Sequence, residues 1–170
     1  EGGRLLGEHL VGLGVGHIAY IGHTTRRAAP RIEGFRAALR GAHLDIALLH
    51  SVEGTTEMEE GLAVVDTVLD QLPQCDAMVF GTDVMAAGAL LRLQEMGKRV
   101  PDDIAVAGYG DLFFAAHTRP RLTSIRTAPY DVGRRAGELL RTRLTVGRAA
   151  EPVIQVPLSL VIRESTVRKP

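Results

Sequence analysis

The stretch that decides the fold is Gly97-Lys-Arg-Val-Pro-Asp-Asp-Ile-Ala-Val-Ala-Gly-Tyr-Gly-Asp111. Gly97 suits the left-handed position just after a helix, and Pro101 begins the turn that follows. Ile104 to Ala107 form an apolar run short enough for a strand that is covered on both faces. Tyr109-Gly-Asp111 then follows at the carboxyl end of that strand. Ligands of open α/β sheets bind at this edge, so the stretch predicts where a ligand lies before it indicates which one.

The composition is that of a folded domain without overall charge. The 170 residues are 45% hydrophobic, which is enough for a sizeable core. Lys plus Arg and Asp plus Glu number 20 each, so the chain lacks the basic excess of a DNA-binding module. The single cysteine, Cys75, precedes an apolar run and is expected to be a small buried side chain. Any contact with DNA must therefore come from a segment other than this one.

The start of the chain indicates a fragment of a longer protein. It opens at Glu1 without a methionine, inside a helical pattern that no strand precedes. Residues 1–22 have no signal-peptide pattern, and no window approaches the roughly 20 apolar residues of a membrane span. We therefore expect a cytoplasmic protein without a membrane partner.

Short apolar runs alternate with amphipathic stretches, which is typical of βαβ units and a largely parallel, doubly wound α/β sheet. The predicted strands are 18–21, 46–49, 77–80, 104–107, 122–126 and 153–156, the last continuing toward 158–162. The predicted helices are a first one over Leu5 to Leu13, then 31–40, 56–71, 84–96 and 130–145. Thr56 and Glu59 have the spacing of a capping box at the start of the third helix.

Polar and charged residues follow the predicted strands at the ligand edge. Arg31 lies in the first turn of the helix that follows the first strand. A guanidinium at this place can bind a carboxylate or neighbouring hydroxyls. The alternative is that Arg31 is solvated or forms a salt bridge. We expect it to be exposed and to contribute little to packing. Thr82 and Asp83 open a helix, so one is its N-cap, and either could also face a ligand. Asp111, beside Tyr109, could accept hydrogen bonds from sugar hydroxyls or serve only a local turn.

Patterns for catalysis are missing. The six histidines are not spaced as metal ligands on one helix, and no Gly-x-Ser-x-Gly nucleophile elbow occurs. Gly12, Gly14 and Gly16 end a helix and precede a strand, the reverse of a dinucleotide-binding loop, so they favour a helix stop. We therefore expect no catalytic residue, no cofactor and no metal ion. A small α/β enzyme acting on acidic or phosphorylated metabolites is the alternative from a different class.

Seven motifs together resemble the effector-binding region of LacI/GalR transcriptional regulators, in order and over essentially the whole chain. They are Gly16-His-Ile-Ala-Tyr-Ile-Gly22, Arg31-x-x-Gly34-Phe35, Thr82-Asp83-Val-Met-Ala-Ala-Gly-Ala89, Val100 to Asp111, Pro120-x-Leu-Thr-Ser-Ile125, Tyr130-x-x-Gly133-Arg134 and Leu160-x-Ile-Arg-Glu-Ser-Thr166. The resemblance implies a periplasmic-binding-protein-like fold of type I, in which two doubly wound lobes joined by three crossings enclose a small effector. It also implies that residues 17–123 and 157–170 form the C-terminal lobe, and that residues 1–15 and 125–155 are a remnant of the N-terminal lobe.

The resemblance further implies a ligand-binding set of Arg31, Thr82, Asp83, Tyr109 and Asp111. Arg31 corresponds to the arginine that contacts the effector. Family members carry an acid directly after the Gly-Tyr pair, where this chain has Gly110, so either Asp111 replaces it or the effector differs in character. The variant Gly-Tyr-Gly-Asp followed by Ala-Ala-His is similar to the gluconate-repressor-like branch, which suits an acidic sugar; a neutral sugar and a purine-like ligand are the alternatives.

The function implied is that of an effector-binding and dimerisation region of a bacterial transcription regulator. Its small-molecule effector would be a sugar or a sugar acid, and its partner a second copy of the chain. Operator DNA would be bound only through a helix-turn-helix headpiece that these residues do not include. The alternative on the same fold is a periplasmic sugar-binding receptor, which requires a secretion signal upstream.

Overall fold

A computed structural model of the chain describes residues 1–26, 28–54, 56–147 and 154–167. Its sheet has six strands in the order β2-β1-β3-β4-β5-β6. They are β1 (Ile18–Gly22), β2 (Ile46–Ser51), β3 (Ala77–Phe80), β4 (Ala105–Gly110), β5 (Thr123–Arg126) and β6 (Ser159–Val161). The pairs among β1 to β5 are parallel, and β6 runs antiparallel to β5.

Helices cover both faces of the sheet, as predicted for a doubly wound fold. They are α1 (Gly2–Gly12), α2 (Ala29–Arg40), α3 (Met58–Gln71), α4 (Asp83–Glu95) and α5 (Pro129–Val146), with a 3-10 helix at Phe113–Ala116. Along β1, Ile18 and Tyr20 pack in one core with Phe35 of α2. The alternate residue Ile21 packs in the opposite core with Met85 of α4. Successive strand side chains point to opposite faces, so both sides of the central strands are buried.

Helices α3 and α4 pack closely against each other in the layer on one face of the sheet. An added Cβ at Gly61 of α3 would overlap the carbonyl oxygen of Met85, and one at Gly88 of α4 would overlap that of Met58. The two helices therefore touch backbone to backbone. The two glycines permit this close approach because they carry no side chain.

Several element boundaries differ from the predicted ones. β4 continues to Gly110, so Tyr109 belongs to the strand instead of to the loop after it. The predicted capping box of Thr56 and Glu59 is wrong by one residue, because α3 begins at Met58 and pairs Glu57 with Glu60. Gly97 has a φ of +69° just past α4, as predicted. Of the predicted strand 153–156, residue 153 lies outside the described residues and 154–156 form no strand; pairing begins at Ser159.

The assignment of residues 1–15 and 125–155 to a remnant of the N-terminal lobe stays a prediction. Leu6 and Leu10 of α1 and the following Val15 are each no more than 2% exposed and share the core of Tyr20 and Phe35. Helix α1 therefore packs in the layer that covers one face of this sheet. Residues 125 and 126 are part of β5.

The residues after β6 form hydrogen bonds with the amino-terminal parts of β4 and β5. The Ser165 hydroxyl donates to the Val106 carbonyl at 2.6 Å and accepts from the Thr123 N–H at 2.8 Å. The Thr166 hydroxyl lies 2.8 Å from that of Thr123 and 2.8 Å from Nε2 of His9 on α1. This buried polar network ties the segment to two strands and one helix.

Helix α5 contrasts with the other helices because it buries no described residue. Tyr130 is 80% exposed, and Leu140 and Leu144 are 59% and 78% exposed. An amphipathic helix needs an apolar partner surface, so these side chains indicate a face that another structure covers. Across the described parts of the chain, no helix combines the length and the apolar composition that crossing a bilayer requires.

Candidate functional site

The site lies at the carboxyl edge of the sheet, where the order of the strands reverses. After β1 the chain moves outward to β2, and it then returns to β3 on the other side of β1. Such a switch point leaves a crevice between the two connections, and ligands of doubly wound sheets bind there. A hollow of about 200 Å³ opens at this point. It is lined by Gly22, His23, Thr25, Ala28, Arg31, Thr56, Gly81 and Thr82.

Two glycines form the floor of the hollow. A Cβ added to Gly22 would lie 3.2 Å from the Cα of Gly81, so the ends of β1 and β3 approach without side chains between them. The Gly81 N–H donates to the carbonyl oxygen of Ile21 at 2.8 Å. The floor is therefore backbone, and it leaves room above it for a ligand.

Arg31 is held over this floor by two contacts. Its Nη1 donates to the Gly81 carbonyl oxygen at 2.8 Å, and its guanidinium lies 3.7 Å from the centre of the Tyr109 ring. The side chain is half-buried, so the expectation of an exposed arginine with little packing is wrong. The reason is that α2 begins at Ala29, which turns its first-turn arginine toward the ends of β3 and β4.

The guanidinium has no carboxylate partner among the residues that the structure describes. Tyr20, 2% exposed, also borders it: burial raises the pKa of the Tyr20 hydroxyl, and the nearby charge and hydrogen bond of Arg31 oppose that rise. Among the described residues, no carboxylate oxygen lies within 4.0 Å of the Arg31 nitrogens. The guanidinium contacts the Gly81 carbonyl oxygen, the Tyr20 hydroxyl and the face of the Tyr109 ring. These contacts leave some of its N–H donors for a ligand.

Thr82 and Asp83 take different positions although they are adjacent. Thr82 is the N-cap of α4, accepting from the Met85 N–H at 3.4 Å, and it also lines the hollow. Asp83 is fully buried: its Oδ1 accepts from the Ser124 hydroxyl at 2.5 Å and its Oδ2 from the Leu112 N–H at 2.7 Å. Burial raises the pKa of Asp83, and those two hydrogen bonds oppose the rise. Asp83 therefore joins the start of α4 to β5 through Ser124 and to the loop after β4 through Leu112.

Asp111 is likewise occupied by the protein. Its carboxyl group is 6% exposed, with Oδ2 2.6 Å from Nε of Arg126 and Oδ1 2.7 Å from Nη2 of Arg163. Burial alone would raise the pKa of Asp111, but the two arginines outweigh burial and hold that pKa below its usual value. The structure brings Arg31 and Thr82 together at the hollow, and Tyr109 contacts the Arg31 guanidinium. It places Asp83 and Asp111 in a neighbouring closed cluster.

Some residues of this edge were missed at the level of sequence. Gly22 and Gly81 carry a usable signal, because each directly ends an apolar strand. Nδ1 of His23 lies 2.9 Å from the Val52 carbonyl oxygen, a contact that no local pattern predicts. Arg126 and Arg163 stand 15 and 52 residues from Asp111 along the chain, so spacing could not have found them.

Burial raises the pKa of the Cys75 thiol to about 11, as expected for an inert buried cysteine. Within the described ranges, no three His, Cys, Asp or Glu side chains are grouped so that they could hold a metal ion.

Comparisons with known proteins agree with this architecture. The model of the periplasmic binding protein-like domain matches residues 8–166. The regulator CelR of Thermobifida fusca is 34% identical over 96% of this chain and 49% of its own length. The repressor PurR of Edwardsiella ictaluri is 36% identical over 100% of this chain and 50% of its own length. The chain thus spans about half the length of the curated relatives it matches.

Solved structures give the same result. A complex of CelR with cellobiose is 33% identical, covers 96% of this chain and 51% of its own, and has a TM-score of 0.86. A LacI-family regulator from Enterococcus faecium with bound ribose is 26% identical, with coverages of 97% and 62% and a TM-score of 0.88. The Lac repressor dimer bound to operator and the anti-inducer ONPF is 30% identical, with coverages of 98% and 50% and a TM-score of 0.88. The chain belongs to the periplasmic-binding-protein-like domain family, and it is similar to LacI-family transcriptional regulators over about half of their length.

Proposed function

We propose that this chain binds a sugar or a sugar acid as the effector of a bacterial transcription regulator, with the ligand seated in the hollow over Gly22 and Gly81. The observation that carries the proposal is the Arg31 guanidinium, anchored on Tyr109 and the Gly81 carbonyl with N–H donors to spare. Thr82 supplies a hydroxyl at the same hollow. The sugars bound by CelR and by the Enterococcus faecium regulator support this ligand class.

A second lobe would cover the site. Helix α5 follows β5 at the carboxyl edge of the sheet and exposes Tyr130, Leu140 and Leu144. We assign α5 to the base of that lobe, and the rest of the lobe to sequence outside these 170 residues. Closure over the effector would then favour one arrangement of the two lobes, which is how a ligand shifts a conformational equilibrium.

The chain would also supply a homodimer surface. Phe113 is 86% exposed, and Leu91 and Leu112 are 46% and 41% exposed. Large apolar side chains on a surface are typical of a site that a partner covers, and the Lac repressor relative is a dimer. A helix-turn-helix outside this chain would bind operator DNA in the cytoplasm, since the chain itself has equal numbers of acidic and basic residues.

The test is ligand binding by the full-length regulator, followed by thermal unfolding and calorimetry. An effector present at about 100 times its Kd should stabilise the folded protein by about 2.7 kcal/mol. It should be recovered unchanged, whereas an enzyme would convert it. Arg31→Ala should abolish the stabilisation and Arg40→Ala should retain it, because Arg40 is on the outer side of α2 and pairs with Glu33. Equal stabilisation of both variants would contradict the proposal.

A further inference from the structure

We propose that a second cavity, at the amino edge of the sheet, binds a free α-amino acid with an aliphatic or aromatic side chain. The cavity has a volume of about 470 Å³. Its walls come from residues 100–102 before β4, residues 120–121 before β5 and the segment 163–167 after β6. It lies at the opposite edge of the sheet from the hollow over Gly22 and Gly81, so this inference is independent of the proposed effector.

The cavity is held open by hydrogen bonds between its walls. The Ser165 carbonyl oxygen accepts from the Val106 N–H at 2.9 Å, and the Ser165 N–H donates to the Arg121 carbonyl oxygen at 2.9 Å. These bonds fix the segment after β6 against β4 and against the loop before β5. The volume lies within the range of roughly 300–1,000 Å³ that is usual for small-molecule sites. The walls therefore have their shape before a ligand binds.

Much of the lining is hydrocarbon. Val100, Pro101, Pro120 and Val167 face the cavity, and Val167 remains 46% exposed. The side chains of valine and proline offer no hydrogen-bonding group, so they favour an apolar part of a ligand over a polar one. An aliphatic or aromatic side chain fits this part of the lining.

Arg121 supplies the group that would bind a carboxylate. Oε1 of Glu164 lies 3.1 Å from Nε and 2.9 Å from Nη2 of Arg121, which fixes the plane of the guanidinium. Oε2 of Glu164 accepts from the Arg121 N–H at 3.0 Å. A guanidinium has five N–H donors, so at least three remain for a ligand. Both oxygens of Glu164 are already bonded, so Glu164 is not the group that would accept from an ammonium.

Asp102 supplies the group that would bind an ammonium. Within the described ranges, its carboxylate forms no hydrogen bond and no ion pair. Arg99 is near enough for the two charges to interact, but its Nε pairs with Asp103 at 3.1 Å. Arg163, the other cation of the lining, pairs with Asp111 at 2.7 Å. Asp102 therefore keeps both oxygens for a ligand.

These groups together favour a zwitterion. An amine without a carboxylate would leave the spare donors of Arg121 unused. A carboxylate without an amine would bring a second negative charge into the cavity that Asp102 lines. An amino acid presents one group to each of the two residues and its side chain to the apolar lining, and it leaves the net charge of the site unchanged.

The experiment is isothermal titration calorimetry on the full-length regulator. The probes are L-leucine, with 4-methylpentanoate and 3-methylbutylamine as its analogues of single charge, and L-phenylalanine, with 3-phenylpropanoate and 2-phenylethylamine. We expect at least one amino acid to bind at least tenfold more tightly than both of its analogues. Asp102→Asn and Arg121→Gln should each weaken that binding at least tenfold. Asp70→Asn and Arg40→Gln, the same changes at exposed positions outside the cavity, should leave it unchanged.

A further variant separates this cavity from the effector hollow. Arg31→Ala should retain amino acid binding; if it abolishes that binding, the amino acid occupies the hollow and the inference fails. If an analogue binds as tightly as its amino acid, the zwitterion is not recognised. If neither amino acid binds, or if Asp102→Asn or Arg121→Gln keeps the affinity of the parent, the cavity is not an amino acid site. None of these failures affects the proposed sugar or sugar-acid effector.

Discussion

The ends of β1 and β3 differ in kind from the ends of β4 and β5, although all four lie on one edge of the same sheet. Over β1 and β3, Arg31 borders an open hollow and keeps N–H donors unbonded to the described residues. Over β4 and β5, Asp83 and Asp111 are enclosed, and every carboxylate oxygen has a partner from the protein. One half of the edge is open and the other is closed.

The difference teaches that position at a ligand edge does not make a polar residue a ligand group. What matters is whether neighbouring residues have already used its hydrogen-bonding capacity. By this criterion the closed half has a structural role, and the open half is where we propose that the effector binds. Substitutions should therefore reduce stability in the closed half and binding in the open half.

The largest expected effect is that of Asp83→Ala. The change leaves the buried Ser124 hydroxyl and the Leu112 N–H without their acceptor, and each unmet donor costs about 1–3 kcal/mol. We expect a loss of about 3 kcal/mol in the free energy of unfolding, measured by urea denaturation. Asp70→Ala, at an exposed position on α3, should change stability by less than about 0.5 kcal/mol. Equal losses of stability in the two variants would contradict a structural role for the closed half.

The next effect is that of Asp111→Asn. It removes one charge from a cluster in which Arg163 is 14% exposed and Arg126 is 54% exposed. Because one partner is in water, we expect about 2 kcal/mol of destabilisation, below the cost of breaking a fully buried pair. Effector affinity should change little. A large loss of effector affinity with unchanged stability would mean that Asp111 acts in binding, as we expect of the open half.

The two acids should also respond to pH in opposite senses. The arginines lower the folded-state pKa of Asp111 below the unfolded value of about 3.9, so its stabilisation is present above that pH and is lost as pH falls. Burial raises the folded-state pKa of Asp83, so its contribution declines as pH rises through that pKa. The stability difference between parent and Asp111→Asn should therefore shrink on acidification. The difference between parent and Asp83→Asn should shrink as pH rises from about 4.

A smaller effect on stability is expected at Arg31. Arg31→Ala removes the hydrogen bonds to Gly81 and Tyr20 and the stacking on Tyr109, together about 1 kcal/mol for this half-buried side chain. The same change should abolish effector binding. Arg31→Ala should therefore lose much affinity and little stability, whereas Asp83→Ala should lose much stability and little affinity. Denaturation and calorimetry on one preparation measure both. A loss of stability as large as that of Asp83→Ala would place Arg31 among the structural residues.

The smallest effect is expected at Thr82. Its hydroxyl caps α4 with a hydrogen bond of 3.4 Å, which is long, so Thr82→Ala should cost about 0.5 kcal/mol. Thr82→Ser keeps the hydroxyl and should recover this stability. Because Thr82 also lines the hollow, we expect the alanine variant to bind effector more weakly than the serine variant. Equal binding by both would restrict Thr82 to its capping role.

The parts of the molecule that local patterns determine were predictable. The glycine after α4, the apolar strand before Tyr109 and the cap at Thr82 each depend on a few neighbouring residues. The partners of Asp111 are 15 and 52 residues away and lie on β5 and beyond β6, so only the folded chain brings them together. The core in which α1 packs could not be predicted for the same reason, because its apolar stripe fits any core. The capping box failed by one residue because Glu57 and Glu60 offer the same spacing as Thr56 and Glu59.

The polar network around Ser165 also bears on the order in which the protein is made. Val106 and Thr123 are synthesised well before Ser165 and Thr166, and α5 lies between them along the chain. While the ribosome is still translating α5, the outer edge of β5 has no β6 to pair with. An open strand edge on a nascent chain can pair with a neighbour on the same messenger RNA. Ribosome pausing that leaves β5 released while β6 is unmade or still enclosed by the ribosome should therefore increase aggregation during synthesis more than pausing after both strands are released.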